Sequence, residues 1–176
     1  AYFKTLYPDA RVVAFEPDRE VYDYLSRNLS RNNLLENVVL HNAAVWTHSK
    51  GVNFASDGAD GGHVEECSGG RVVPSVDLKE MLLGEKCVDL LKMDIEGAET
   101  VVIPALKDVL THVRRLFCEY HSWGVERNGT LGSILAILDE AGFRYRLVPV
   151  GGSMATPFEH QGSPWQVNIF AVNEGL

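Results

Sequence analysis

Three carboxylates stand close together where an apolar run stops, in Leu90-Leu-Lys-Met-Asp94-Ile-Glu96-Gly97-Ala98-Glu99. Two other apolar runs end the same way. Val12-Val13-Ala14-Phe15 leads into Glu16-Pro17-Asp18, and Leu116-Phe117-Cys118 leads into Glu119-Tyr120-His121. In open α/β sheets ligands bind outside the carboxyl ends of the strands, so acids delivered there belong to a cleft and not to a core. Three such runs predict one shared site.

Asp94 and Glu96 are two apart, and so are Glu119 and His121. In extended backbone each pair faces one side, which predicts four converging ionisable groups. Such a set can remove a proton from a hydroxyl, and a positioned base contributes about 10²- to 10⁴-fold to a rate. The same oxygen and nitrogen atoms could instead hold a divalent ion for hydrolysis. Glu99 reads as a first-turn helix acid satisfying the dipole. Lys92, polar in an apolar strand, is expected at an edge or against an acid.

Elements must hold these groups in place. Residues 1–7 read as a helix tail closed by Pro8, and 11–15 as a buried strand. Asp18 is the expected N-cap of a helix carrying Val21, Leu25 and Leu29 on one face, with Asn32-Asn33 as its stop. Residues 38–40 form the next strand. The polar, glycine-rich stretch 56–70 is expected to be a short hairpin and loop. A short helix at 77–83, a central strand at 88–93, a helix at 98–110 interrupted by Pro104, and a strand at 115–118 follow. Leu131, Ile134, Leu135 and Leu138 make one stripe of a helix at 130–141 capped by Gly142. The last strands, 143–148 and 167–172, are joined by a Gly/Pro-rich loop at 149–164 with no helical pattern, so they should pair antiparallel. This order predicts an α/β fold: a three-layer sandwich on a mostly parallel sheet with a closing antiparallel pair.

Four segments then carry a resemblance: Val13-Ala14-Phe15-Glu16-Pro17-Asp18, Asn42-Ala43-Ala44-Val45, Leu91-Lys92-Met93-Asp94-Ile95-Glu96-Gly97-Ala98-Glu99 and Glu119-Tyr120-His121. In this order they resemble the FkbM family of S-adenosylmethionine-dependent methyltransferases, over roughly residues 1–148. The Lys-x-Asp-x-Glu-Gly-Ala-Glu block is the most specific part. The resemblance implies a Rossmann-like methyltransferase sheet and methyl transfer from S-adenosylmethionine to an oxygen, often a hydroxyl on a sugar or secondary metabolite. It places Glu16, with Pro17 beside it, on the cofactor ribose, where a strand-end acid accepts both hydroxyls. It places Asn42 and Ala43 near the adenine, and Asp94, Glu96, Glu119 and His121 around the transferred methyl, with Asp94 also touching cofactor. Asp94 or His121 is the expected base. For His121 the plainer alternative is a surface histidine at a strand end. Such methyltransferases open with a strand and a glycine-rich loop, which this sequence lacks. Gly61-Gly62 and Gly69-Gly70 sit in a polar stretch, not after a buried strand. The first strand is therefore expected to be missing from this chain, in the sheet centre between the strands at 11 and 88, and the chain to be part of a longer protein.

With 176 residues, 45% apolar, the chain suits one domain. A net charge of −8 without a basic run excludes a polyanion as main partner and leaves a small hydroxylated molecule. Cys67, Cys87 and Cys118 are odd in number and widely spaced, which excludes a disulfide scaffold and a zinc cage. His41, His48, His63, His112 and His160 show no metal-ligand spacing, and no metal is expected in the methyltransferase reading. No long apolar segment and no leader stand out, so the expected home is the cytoplasm, away from membranes. The sequons Asn28-Leu-Ser30 and Asn128-Gly-Thr130 read as chance, the first inside a helix. Trp123 and Trp165, in loops, are candidates to cover substrate or to cap packing. A non-catalytic relic that kept the sheet but lost the cofactor loop is the remaining alternative.

Overall fold

The computed structural model describes residues 1–55, 62–65, 71–122, 130–151 and 165–176. Two compact units divide the chain, residues 1–76 and 77–176.

In the first unit, α1 (Tyr2–Leu6) is followed by β1 (Val12–Phe15), α2 (Arg19–Arg31), β2 (Val38–His41), β3 (Ala44–Trp46), β4 (Val52–Ala55), β5 (His63–Glu65), β6 (Arg71–Val73) and β7 (Ser75–Asp77). Local chemistry sets α2. Asp18 accepts from the backbone N–H groups of Glu20 and Val21, and the chain leaves the helix through Asn33 at φ 54°. β1 and β2 run parallel from Val12↔Val38 to Phe15↔His41, so residues 16 and 42 emerge side by side at one rim. β4 pairs antiparallel with β5 and β6. Of the stretch 56–70 expected to hold a hairpin and loop, only 62–65 is described, and it carries β5, whose partner β4 lies before that stretch, while 56–61 and 66–70 lie outside the described residues. β3, β4, β6 and β7 were not legible as strands, because three or four residues are too short a window to show alternation.

The second unit contains α3 (Leu78–Leu83), β8 (Leu91–Met93), α4 (Glu99–Leu106), a 3-10 turn (Leu110–His112), β9 (Arg115–His121), α5 (Leu131–Glu140), β10 (Phe143–Val150) and β11 (Gln166–Asn173). Its sheet has the order β10-β11-β9-β8. β8 runs parallel to β9, with Met93 opposite Cys118, whereas β11 is antiparallel to both β9 and β10. The final antiparallel pair is as the sequence predicts. A mostly parallel sheet is not. Among the described residues β1–β2 and β8–β9 are parallel ladders, whereas β9–β11, β10–β11, β4–β5 and β4–β6 are antiparallel. The strand expected at 88–93 also shortens. Val88 makes only an isolated bridge to Val113, exposed Asp89 turns to Arg114 at 2.8 Å, and β8 stands at an end of the sheet order, not in its middle.

Along β9, Leu116, Cys118 and Tyr120 point into the core beside Ile169 and Ala171 of β11. α4 is apolar on nearly every side, and Val102, Ile103 and Leu106 are fully buried, so it is a core helix and not an amphipathic one. It closes at Leu106, two residues after Pro104, and not at 110 as the sequence predicts. α5 presents Ile134 and Leu138 to the same core, each such burial contributing about 1.5–3 kcal/mol. Its start is a capping box: Thr130 Oγ1 accepts from Ser133 N, and Ser133 Oγ accepts from Thr130 N at 2.8 Å. No helix among the described residues is long and apolar enough to cross a membrane.

Candidate active site

Each unit carries a polar rim at the carboxyl end of a parallel strand pair. In the first unit Glu16 follows β1 and Asn42 follows β2. The Asn42 amide donates from Nδ2 to the carbonyl of Glu16 at 2.8 Å and to that of Pro17 at 3.2 Å. One Asn side chain therefore fixes the turn that aims Glu16, and its own carbonyl oxygen is the atom that can face an amino group. Glu16 Oε1 accepts the Asp18 N–H at 2.8 Å. Burial pushes the Glu16 carboxyl above its ordinary value, the Asp18 N–H works against that, and the Asp18 charge adds to it. Phe15 and His41, paired across the strands, stack at 5.0 Å. Ala43 is buried.

In the second unit the chain leaves β8 through a turn. Glu96 has φ 53° and Gly97 φ 97°, both left-handed. This corrects the expectation that Asp94 and Glu96 face one side because the backbone is extended there: the turn, not a strand, brings them together. Ligand atoms of Asp94, Glu96 and His121 lie within 4.8 Å of one another. Glu119, two residues before His121 on β9, lies on the same side of that strand and adds to the field at Glu96, but is not in that cluster.

His121 is not the surface histidine that a strand end would suggest. Its side chain is 0% exposed, with Nδ1 3.1 Å from Glu99 Oε1 and Nε2 3.5 Å from Glu96 Oε2. Burial is the largest influence on it and lowers its pKa. The Glu99 hydrogen bond and the charges of Glu99, Glu96 and Asp94 outweigh that and raise it. Glu96, 21% exposed, is also held up, first by burial and then by Asp94, Glu99 and Glu119, with His121 opposing. Asp94, 34% exposed, takes the Lys92 ammonium at 2.9 Å, as expected of a lysine on that strand. Lys92 also lies over the Phe117 ring at 5.4 Å.

Glu99 is the residue that sequence reasoning placed wrongly. It is fully buried, and its Oε1 accepts from Ile95 N and Gly97 N as well as facing His121. Trp165 packs on Tyr120 with ring centroids 5.3 Å apart, which fits its role as a packing cap. Trp123, His160, Cys67 and the Asn128 sequon lie outside the described residues, as does most of the loop 149–164.

An α/β arrangement whose parallel strands hand acids to their carboxyl ends puts those acids where open α/β sheets bind ligands. The acid turn after β8 is the most distinctive piece of it. The chain belongs to the family described as the methyltransferase FkbM domain, which matches residues 2–145 and so runs across both units. It is similar to methyltransferase sdnD of Sordaria araneosa, at 28% identity over 179 residues, covering 81% of this chain and 68% of that protein. Among solved structures it is similar to precorrin-6y C5,15-methyltransferase from Geobacter metallireducens, at 16% identity and a TM-score of 0.46, over 96% of this chain and 69% of the other. Precorrin 8w decarboxylase of Methanobacterium thermoautotrophicum gives 14% and 0.41, over 92% and 69%.

Proposed function

We propose that this methyltransferase uses S-adenosylmethionine to methylate a hydroxyl oxygen of a small molecule such as a sugar or secondary metabolite. The observation that supports it most is the cluster of Asp94, Glu96 and His121, in which Asp94 and Glu96 come from the Lys-x-Asp-x-Glu-Gly-Ala-Glu block after β8 and His121 from the end of β9. The family match runs through both units, which supports reading them as one domain on a Rossmann-like plan.

The residues present suit the cofactor. Glu16 offers a half-buried carboxylate at a strand end for a ribose diol, and Asn42 offers a carbonyl oxygen to an adenine amino group, with Pro17 and Ala43 framing them. When bound, S-adenosylmethionine supplies a methyl group on a positively charged sulfur. The acids of the second rim suit that charge. With the cofactor bound, the substrate oxygen would bond to the methyl carbon as the carbon–sulfur bond breaks with its electron pair left on sulfur, and Asp94 and Glu96 would take the proton from that oxygen. Glu96 and Asp94 reach solvent and His121 does not, so the carboxylates meet the substrate and His121 stands behind them. Holding the oxygen in line contributes most, up to about 7–11 kcal/mol. A net charge of −8 supports a small hydroxylated substrate over nucleic acid or membrane, and a cytoplasmic setting completes the proposal.

Calorimetric titration with S-adenosylhomocysteine, followed by transfer of labelled methyl to polyhydroxylated acceptors, tests this. Saturable binding and labelled product are expected. Binding that is absent points to a non-catalytic module. Metal-assisted hydrolysis has a foothold in the same cluster, although a cation there must displace the Lys92 ammonium from Asp94. Chelator-sensitive hydrolysis without any response to the cofactor would decide for it.

A further inference from the structure

An acid in the first turn of a helix ordinarily lies in water and answers the dipole. Glu99, the first residue of α4, does not: it is 0% exposed, and one of its oxygens gathers three nitrogens. Ile95 N at 3.1 Å and Gly97 N at 3.3 Å come from the turn that carries Glu96. The third, Nδ1 of His121 at 3.1 Å, comes from the last residue of β9. A carboxylate oxygen can only accept, so Nδ1 carries a hydrogen. The ring is then oriented with Nε2 toward Glu96 Oε2, 3.5 Å away.

We infer that Glu99 is the positioning residue of this site: it ties the Asp94–Gly97 turn to β9 and fixes His121 with a hydrogen on Nδ1 and Nε2 directed at Glu96. Glu96 and His121 then receive the substrate proton as one unit, with Glu96 at the surface and the imidazole behind it. The O–H electron pair would stay on oxygen, which would bond to the methyl carbon as the carbon–sulfur bond breaks and its electron pair is left on sulfur. The catalytic part of this rests on the methyltransferase reading; the geometry does not. Buried carboxylates that orient a histidine govern its tautomer, and the wrong tautomer costs orders of magnitude in rate.

Nitrogen-15 NMR of the imidazoles in the full chain, without cofactor, reads the geometry directly. At a pH where the His121 ring is neutral, the wild-type protein is expected to show the hydrogen on Nδ1, and Glu99→Gln to shift it toward Nε2. A wild-type ring protonated at Nε2, or a tautomer indifferent to E99Q, overturns the inference. The wild-type spectrum alone decides should E99Q fail to fold. In methyl transfer E99Q is expected to lower kcat on the order of 10²- to 10⁴-fold with little change in KM, and Glu99→Asp to recover part of it. A shifted tautomer with unchanged kcat overturns the positioning role. Wild-type protein that transfers no methyl group defeats the functional reading instead, and leaves the NMR to judge Glu99.

Discussion

Glu99 Oε1 lies 3.1 Å from His121 Nδ1, and neither side chain touches solvent. A buried pair of this kind makes stability depend on pH. Glu99, Glu96 and Asp94 raise the folded-state pKa of His121 against the opposing effect of burial, while the unfolded chain releases that proton near about 6.5. Between those values the folded state binds more protons. The stabilisation is therefore complete below about pH 6.5 and is lost as pH rises through the folded value. Glu96 shifts upward too and acts with the same sign from about pH 4.5. Glu99→Ala, which strands the imidazole, is expected to cost about 3–5 kcal/mol near pH 6 and less near pH 9, by urea denaturation at both pH values. A cost that does not change with pH would refute the charged pair.

In the first unit, Asn42 serves Glu16 through the backbone. Glu16→Ala should weaken S-adenosylhomocysteine binding by about 1.5–3 kcal/mol, or about 10- to 150-fold in Kd, the range for hydrogen bonds to a charged group. Asn42→Ala releases the carbonyls of Glu16 and Pro17 and should cost less. Asn42→Asp should be worse than alanine for stability as well as binding, because a carboxylate would face two carbonyl oxygens. Calorimetry and thermal melting on the three variants give the order; a mild Asn42→Asp would contradict the scaffold role of that amide.

What could be read ahead of the structure follows the range of the signal. Asp18 was legible as a helix start because a cap is made within three residues of itself. The stripe of Ile134 and Leu138 was legible because a period of 3.6 repeats within one helix. Val52 to Val73 was not: its strands are held by partners across the sheet and are too short to alternate visibly. The chemistry of Asp94, Glu96 and His121 was legible in residue type, and their grouping arose for a different reason from the one the spacing suggests. A left-handed glutamate cannot be foreseen from sequence, since non-glycine residues seldom adopt that backbone. Nor can the burial of Glu99, because nothing local distinguishes it from a solvated first-turn acid.

The helix caps supply a control that alters none of the second rim's acids. Asp18 closes α2 by accepting two backbone N–H groups. Asp18→Ala should lower stability by about 1 kcal/mol, within about 0.5–2, with Thr130→Ala similar at α5. Chemical denaturation should show both losses with unchanged m-values. Thr130→Ala should leave the His121 tautomer as it is; a change there would mean that the second unit's polar cluster depends on α5 for its geometry.

Glu96 holds a costly conformation. A non-glycine residue at φ 53° carries a penalty of about 1–2 kcal/mol, and its carboxylate sits among Asp94, Glu99 and Glu119 with burial disfavouring its charge. His121 supplies an opposing attraction. Residues kept in strained backbone beside like charges persist where function requires them. Glu96→Gly removes the strain and the charge together. It should raise the free energy of unfolding by about 1 kcal/mol at neutral pH while lowering methyl transfer by about 100-fold or more. Glu96→Asn, which tolerates the left-handed region and cannot accept the proton, should lie between wild type and glycine in stability and lose as much activity. Should both variants be less stable than wild type, the contact with His121 outweighs the strain, and Glu96 belongs to the support of the turn more than to the chemistry at its tip.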